Sequence, residues 1–331
     1  MALVLALLPV ALPLVPPFFD VPNHLARVVI LSQYDRSEFY RSFFTTNWQI
    51  IPNLALDIAL LGLIKLFSPL VALKVYLGTI VVLTAVGFAA FHRQIHDRWS
   101  PAAFGGFALV YTLSTFMGFM NFSMGIALLL VLGATYLALR GAPVPVRLLV
   151  AGTLSIVLFF THLLAFLFAF LFLAVIVPKT VKERAGWRTL LELGTIAVIP
   201  VLLYVFASPT RGETGALTFR GPLFKLVAIL NLYRSGVIAV DALVIPLFLI
   251  GIGLLVWGSR DRLSAFGRPL IFITAAIFLL APFGTKTTQV LDSRLPLFIV
   301  MAALLAVPDL NLDRRRIRWG GAAVGFAVAF Q

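Results

Sequence analysis

The chain of 331 residues contains no cysteine. Disulfides, thiolate metal sites, iron–sulfur clusters and a cysteine nucleophile are therefore excluded. Charge is also scarce: 12% of residues are charged, about half the share of an ordinary soluble domain. Acids are the scarcer sign, with 13 Asp and Glu against 26 Lys and Arg. The histidines, His24, His92, His96 and His162, do not make a metal set. His92 and His96 are expected to be solvated residues of a basic loop. No cofactor is certain; a divalent metal is possible but not indicated. Phosphate loops ending in GK[ST], GxSxG elbows and HExxH helices are absent as well.

What remains is hydrocarbon. Hydrophobic residues make up 61% of the chain, and they run continuously rather than alternating as in an outer-membrane barrel. The pattern predicts an all-α polytopic transmembrane bundle, a single domain over 1–331 with about 11 spans. The first span is 1–19, retained because it has no basic n-region and no clear cleavage site. The others are 70–91, 101–115, 120–139, 148–161, 164–178, 189–207, 236–257, 268–284, 295–308 and 319–331. The stretch 148–178 reads either as two short spans meeting near Thr161 and His162 or as one long tilted helix. Pro200, Pro246 and Pro282 are expected inside spans as kinks. The last span stops at Gln331, which suggests a truncated form of a longer protein.

A net charge of +13 would point to nucleic acid in a soluble protein. Here it is read as topology, and no nucleic-acid partner is expected. Basic residues are denser in 92–100, 140–147, 179–188, 258–268 and 312–318 than in the intervening loops, which places the former inside. That puts the N-terminus in the cytoplasm. It leaves 18–69 as a large outer first loop with interfacial helices, and 208–235 as a second outer loop. Asp97, Glu183, Asp261, Asp309 and Asp313 then pair with inner basic residues.

The densest polar signal is PPFFDVPNHLAR, residues 16–27. Asp20, His24 and Arg27 are spaced i, i+4, i+7 and share a helix face. A carboxylate there can take a proton from an acceptor hydroxyl, while His and Arg steady a phosphate. Asp20 could equally cap a helix starting near Val21, with Pro22 in its first turn. Asn23 joins the candidates from the same motif. His162, in FFTHLLAF, is a lone imidazole at the outer end of a span, either functional or bonded to a backbone carbonyl. Asp292 and Arg294, in LDSRLP, form a local ion pair or line a site. Arg211 and Arg220 in the second outer loop hold a lipid phosphate or anchor an interfacial helix. In GFMNFSMG, Gly118, Asn121 and Gly125 are read as a close-packing surface.

An acid just after the first span, an amphipathic helix, then a second interfacial helix leading into span two resembles the membrane glycosyltransferases of the GT-C superfamily. These include protein O-mannosyltransferases and lipid A aminoarabinose transferases. NWQIIPNLALDIALLGLIKLFSPLVALKVYLG is similar to the interfacial stretch and second span of that layout. DVPNHLAR, GFMNFSMGIALLL, THLLAFLFAF and LDSRLP resemble motifs of bacterial membrane proteins of this general kind. The resemblance implies a GT-C-like bundle in a bacterial inner membrane with a periplasmic site. It implies a polyprenyl-phosphate-linked sugar as donor, an acceptor of unspecified identity and Asp20 as general base. Val21 follows Asp20, so the paired acid of metal-dependent subtypes is absent. Two other functions stay open: a transporter or flippase for a lipid-linked or small solute, and a non-catalytic assembly protein.

Overall fold

A computed structural model describes residues 1–180, 186–210, 216–233, 237–285, 289–310 and 315–329. Among these residues the fold is helical, with no β-strand; a single antiparallel bridge joins Thr218 to Gly284. In chain order the helices are α1 (Ala2–Ala11), α2 (Val21–Gln33), α3 (Glu38–Phe43), α4 (Ala55–Leu63) and α5 (Pro69–His96). They continue with α6 (Leu113–Phe116), α7 (Met120–Ala138), α8 (Val144–Thr161), α9 (Leu163–Thr180) and α10 (Gly186–Leu202). The last are α11 (Pro222–Leu230), α12 (Ile238–Gly258), α13 (Gly267–Leu280), α14 (Pro296–Ala306) and α15 (Arg315–Ala329).

Among the described residues, six helices are long and apolar enough to cross a membrane: α5, α7, α8, α9, α10 and α12. By length and composition the chain is a multi-pass helical membrane protein. Large side chains such as Leu149, Leu191, Ile199 and Ile250 stay exposed on these helices, as lipid-facing positions do in a bundle whose solvent is hydrocarbon.

Several expected spans are shorter or broken. The first ends at Ala11, because Pro13, Pro16 and Pro17 remove three backbone donors in the next six residues. Lys74 of α5 caps its loose end, donating to the carbonyls of Ala11 and Pro13 at 3.0 and 2.6 Å. The stretch 101–115 is a 3-10 segment, Pro101–Leu109, a turn, and the four-residue α6. Gly105 and Gly106 lie against Phe88 of α5 there; a Cβ on Gly106 would stand 2.7 Å from the Phe88 side chain. That close approach takes precedence over regular helix. Pro282 lies beyond α13 rather than inside it. Pro246 is inside α12, and Pro200 is inside α10, which loosens into a π turn over Leu203–Ala207. The stretch 148–178 resolves into α8 and α9, with extended His162 between them (φ −165°).

α14 runs through the centre. All of its residues from Pro296 to Ala306 except the partly exposed Ile299 are buried. Its Phe298 stacks on Phe168 of α9 (centroids 3.7 Å apart, planes at 14°) and meets Phe122 of α7 edge-on.

The polar contacts sort to two ends. At one end Arg140 pairs with Asp97, Arg98 with Asp309 at 3.5 Å, and fully buried Arg147 with Glu192. These are the loops that the basic-residue density groups together. His92 and His96 are not solvated. They sit on α5, with His92 fully buried, and each ring bonds a backbone carbonyl at 2.9 Å (Val307 and Leu305). The carbonyls at the end of α14 need partners, and the imidazoles supply them. The other end carries the first loop.

Candidate functional site

Residues 18–24 form the base of the site. Phe18 and Val21 are buried, the Phe19 amide donates to the Phe116 carbonyl at 2.8 Å, and α2 starts at Val21 with Pro22 in its first turn. Asp20 occupies the N-cap position, yet its side chain makes no cap bond. One carboxylate oxygen instead accepts from Asn23 Nδ2 at 2.7 Å; the other lies 3.2 Å from His24 Nε2. A third of the Asp20 side chain remains exposed. Asp20 is thus oriented by two neighbours and still reachable.

Gly118 fixes where this carboxylate sits. It adopts φ +76°, and a Cβ there would stand 2.7 Å from the Asp20 amide nitrogen. Its backbone also hydrogen-bonds the His24 ring. Burial outweighs the attraction of Asp20 and holds His24 below its ordinary value, as a neutral imidazole. Gly125 packs against Ala165 and His162, in keeping with the close-packing reading of 118–125, and Asn121 donates to the Asn53 carbonyl at 3.0 Å.

Arg27 turns to a partner that the motif does not contain. It pairs with Asp57 of α4, which is buried, while the Arg27 side chain stays half-exposed. Desolvation raises the Asp57 carboxyl above its usual range despite the guanidinium beside it. Asp57 is the residue that sequence spacing missed. Its one signal is an acid on the buried face of a short apolar helix, Leu56-Asp57 and Leu60. An uncompensated acid there requires a cation.

The remaining candidates lie nearby or elsewhere. Asp292 and Arg294 do not pair with each other. Buried Asp292 faces Lys225 of α11 at 3.5 Å, and Lys225 also donates to the Ala281 carbonyl at 2.6 Å. The short 3-10 turn 292–294 points the two side chains in different directions. Arg294 lies over Phe119 (4.4 Å to the ring centroid) and near Phe122 (5.8 Å). His162 meets the same Phe122 edge-on at 5.1 Å, and its Nδ1 has no partner; it is not tied to a carbonyl. Arg220 stacks on Phe283 (3.4 Å) and Phe224 (4.9 Å), anchoring the start of α11. Arg211 lies outside the described residues. The structure therefore brings together Asp20, Asn23, His24, Arg27 and Asp57. It places Arg294 and His162 across Gly118–Phe122 from them, and sets Arg220 apart.

A cavity of about 810 Å³ lies between α1, the 101–111 segment and α15, lined by Leu5, Leu8, Phe104, Tyr111, Leu304 and Val324 among others. Its lining contains no charged residue and does not include Asp20. No protein-family model, curated protein or solved structure matches this chain.

Proposed function

We propose that the protein is a membrane glycosyltransferase of the GT-C kind, moving a sugar from a polyprenyl-phosphate donor to a hydroxyl at the first-loop face of a bacterial inner membrane. The observation that carries this reading is Asp20: a carboxylate not used as a helix cap, held by Asn23 and His24, and still a third exposed. Asp20 takes the proton of the acceptor hydroxyl. The hydroxyl oxygen bonds to the anomeric carbon, the carbon–oxygen bond to the phosphate breaks, and the polyprenyl phosphate leaves with both electrons. Neutral His24 fixes the carboxylate, and Arg27, paired with Asp57, adds positive charge beside it.

The test replaces Asp20 with Asn and measures glycolipid and glycan products in membranes. General-base catalysis contributes roughly 10²–10⁴-fold, so product formation falls by that order while the protein stays folded. Unchanged product ends the assignment of Asp20. The transporter or flippase reading draws on the apolar cavity beside α1, which has room for hydrocarbon. Flipping by purified protein in vesicles, with no transfer product, would favour it.

A further inference from the structure

Among the described residues, Arg294 is a cation without an anion. Its Nε is buried and has no hydrogen-bond partner, and among the described residues no carboxylate pairs with it. The nearest acid in sequence, Asp292, is engaged by Lys225. Burial brings the guanidinium down from its ordinary value to about 10. Two rings hold it: Phe119 at 4.4 Å and Phe122 at 5.8 Å. Stacking on aromatic faces offsets only part of the desolvation of a cation. His162 meets Phe122 edge-on at 5.1 Å, is 8% exposed, and has an unpartnered Nδ1. The Arg294 charge reaches it. Two orphan polar groups, one of them cationic, thus share one aromatic wall at the start of α7.

We propose that Arg294 and His162, placed by Phe119 and Phe122, form a binding site for a phosphate group. The guanidinium fork meets two phosphate oxygens, and the imidazole supplies a further hydrogen bond. Phe119 follows Gly118 directly, and consecutive Cα atoms are about 3.8 Å apart. The site therefore adjoins the Asp20 cluster. Its identification as the seat of the donor phosphate rests on the transfer reading; the binding itself does not.

The experiment measures binding by purified full-length protein in two arms. In one the probe is inorganic phosphate, with acetate as comparison; in the other it is phosphatidylcholine vesicles containing a polyprenyl monophosphate, with vesicles lacking it as comparison. Saturable binding of either phosphate probe is expected. Arg294→Gln weakens it roughly ten- to hundredfold, as loss of charge-assisted hydrogen bonds does. Arg294→Lys, which keeps the charge and loses the fork, falls between. Binding of inorganic phosphate marks a free-phosphate site, and binding confined to the polyprenyl vesicles marks a lipid headgroup site. Absence of binding to both by the wild type overturns the proposal without recourse to any variant. So does equal binding of acetate, or wild-type affinity in folded Arg294→Gln. Asp20→Asn separates the two readings: it keeps phosphate binding while losing product. Wild-type product from Asp20→Asn with intact Arg294-dependent binding would remove the catalytic assignment and leave this site standing.

Discussion

Gly118 does two things that only glycine permits. Its φ of +76° lies in the left-handed region, and its missing Cβ lets the Asp20 backbone approach. Gly118→Ala is expected to cost about 1–3 kcal/mol in backbone strain alone, and more from the contact with Asp20. Thermal unfolding in detergent measures the loss, and a parallel fall in product tests whether Asp20 has moved. His24 supplies a pH signature. Its folded value is depressed by burial, so its contribution is fully present above the ordinary 6.5 and is lost as pH falls through the folded value. Stability measured against pH should therefore decline on acidification below 6.5, and His24→Gln should flatten that limb. Asp57 acts in the opposite sense. Its raised value means that its contribution is complete below 3.8 and is lost as pH rises through the folded value.

Among the elements, α5, α7, α8, α9, α10 and α12 were legible because long apolar runs have one physical meaning in any context. The break at Thr161 and His162 was legible as one of two readings. The first span and 101–115 were misread for a shared reason. Composition reports hydrophobicity, whereas prolines at 13, 16 and 17 and close packing of Gly105 and Gly106 decide whether the backbone can stay helical. His92 and His96 were misread because a loop's basic composition does not reveal that α5 extends through it. At the site, spacing within one helix pointed to Asp20, His24 and Arg27, and the motif added Asn23; the structure sets Asn23 and His24 against Asp20 and turns Arg27 to Asp57. It could not find Asp57, thirty residues from Arg27, since that pairing is made by α4 packing on α2. The α8–α10 contact gives an element-scale prediction. Arg147 is 2% exposed and forked onto Glu192, with further bonds to the carbonyls of Leu139 and Ala142. Glu192→Gln strands a buried guanidinium and should cost about 3–5 kcal/mol, whereas replacing both partners with apolar residues of similar volume should recover most of it. Unfolding midpoints of the single and double variants decide the matter.

Over the whole molecule, charge is partitioned by end. Paired acids and bases such as Arg140 with Asp97 and Arg98 with Asp309 close one end. The Asp20 and Arg294 groups occupy the other, linked through the segment Gly118–Phe122, whose glycine packs on Asp20 and whose two rings meet Arg294. Between the ends, α14 has a consequence for how the protein is made. Its eleven residues reach about 16 Å, roughly half the hydrocarbon thickness, and all but Ile299 are buried within the protein. Such a segment gains little by partitioning into a bilayer alone. It enters as a side-chain partner of α7 and α9, through Phe122, Phe168 and Phe172 around Phe298. α14 is therefore expected to settle only once α7 and α9, which precede it in the chain, are in place. Arg294, two residues before α14, would take its position against Phe119 and Phe122 in the same step.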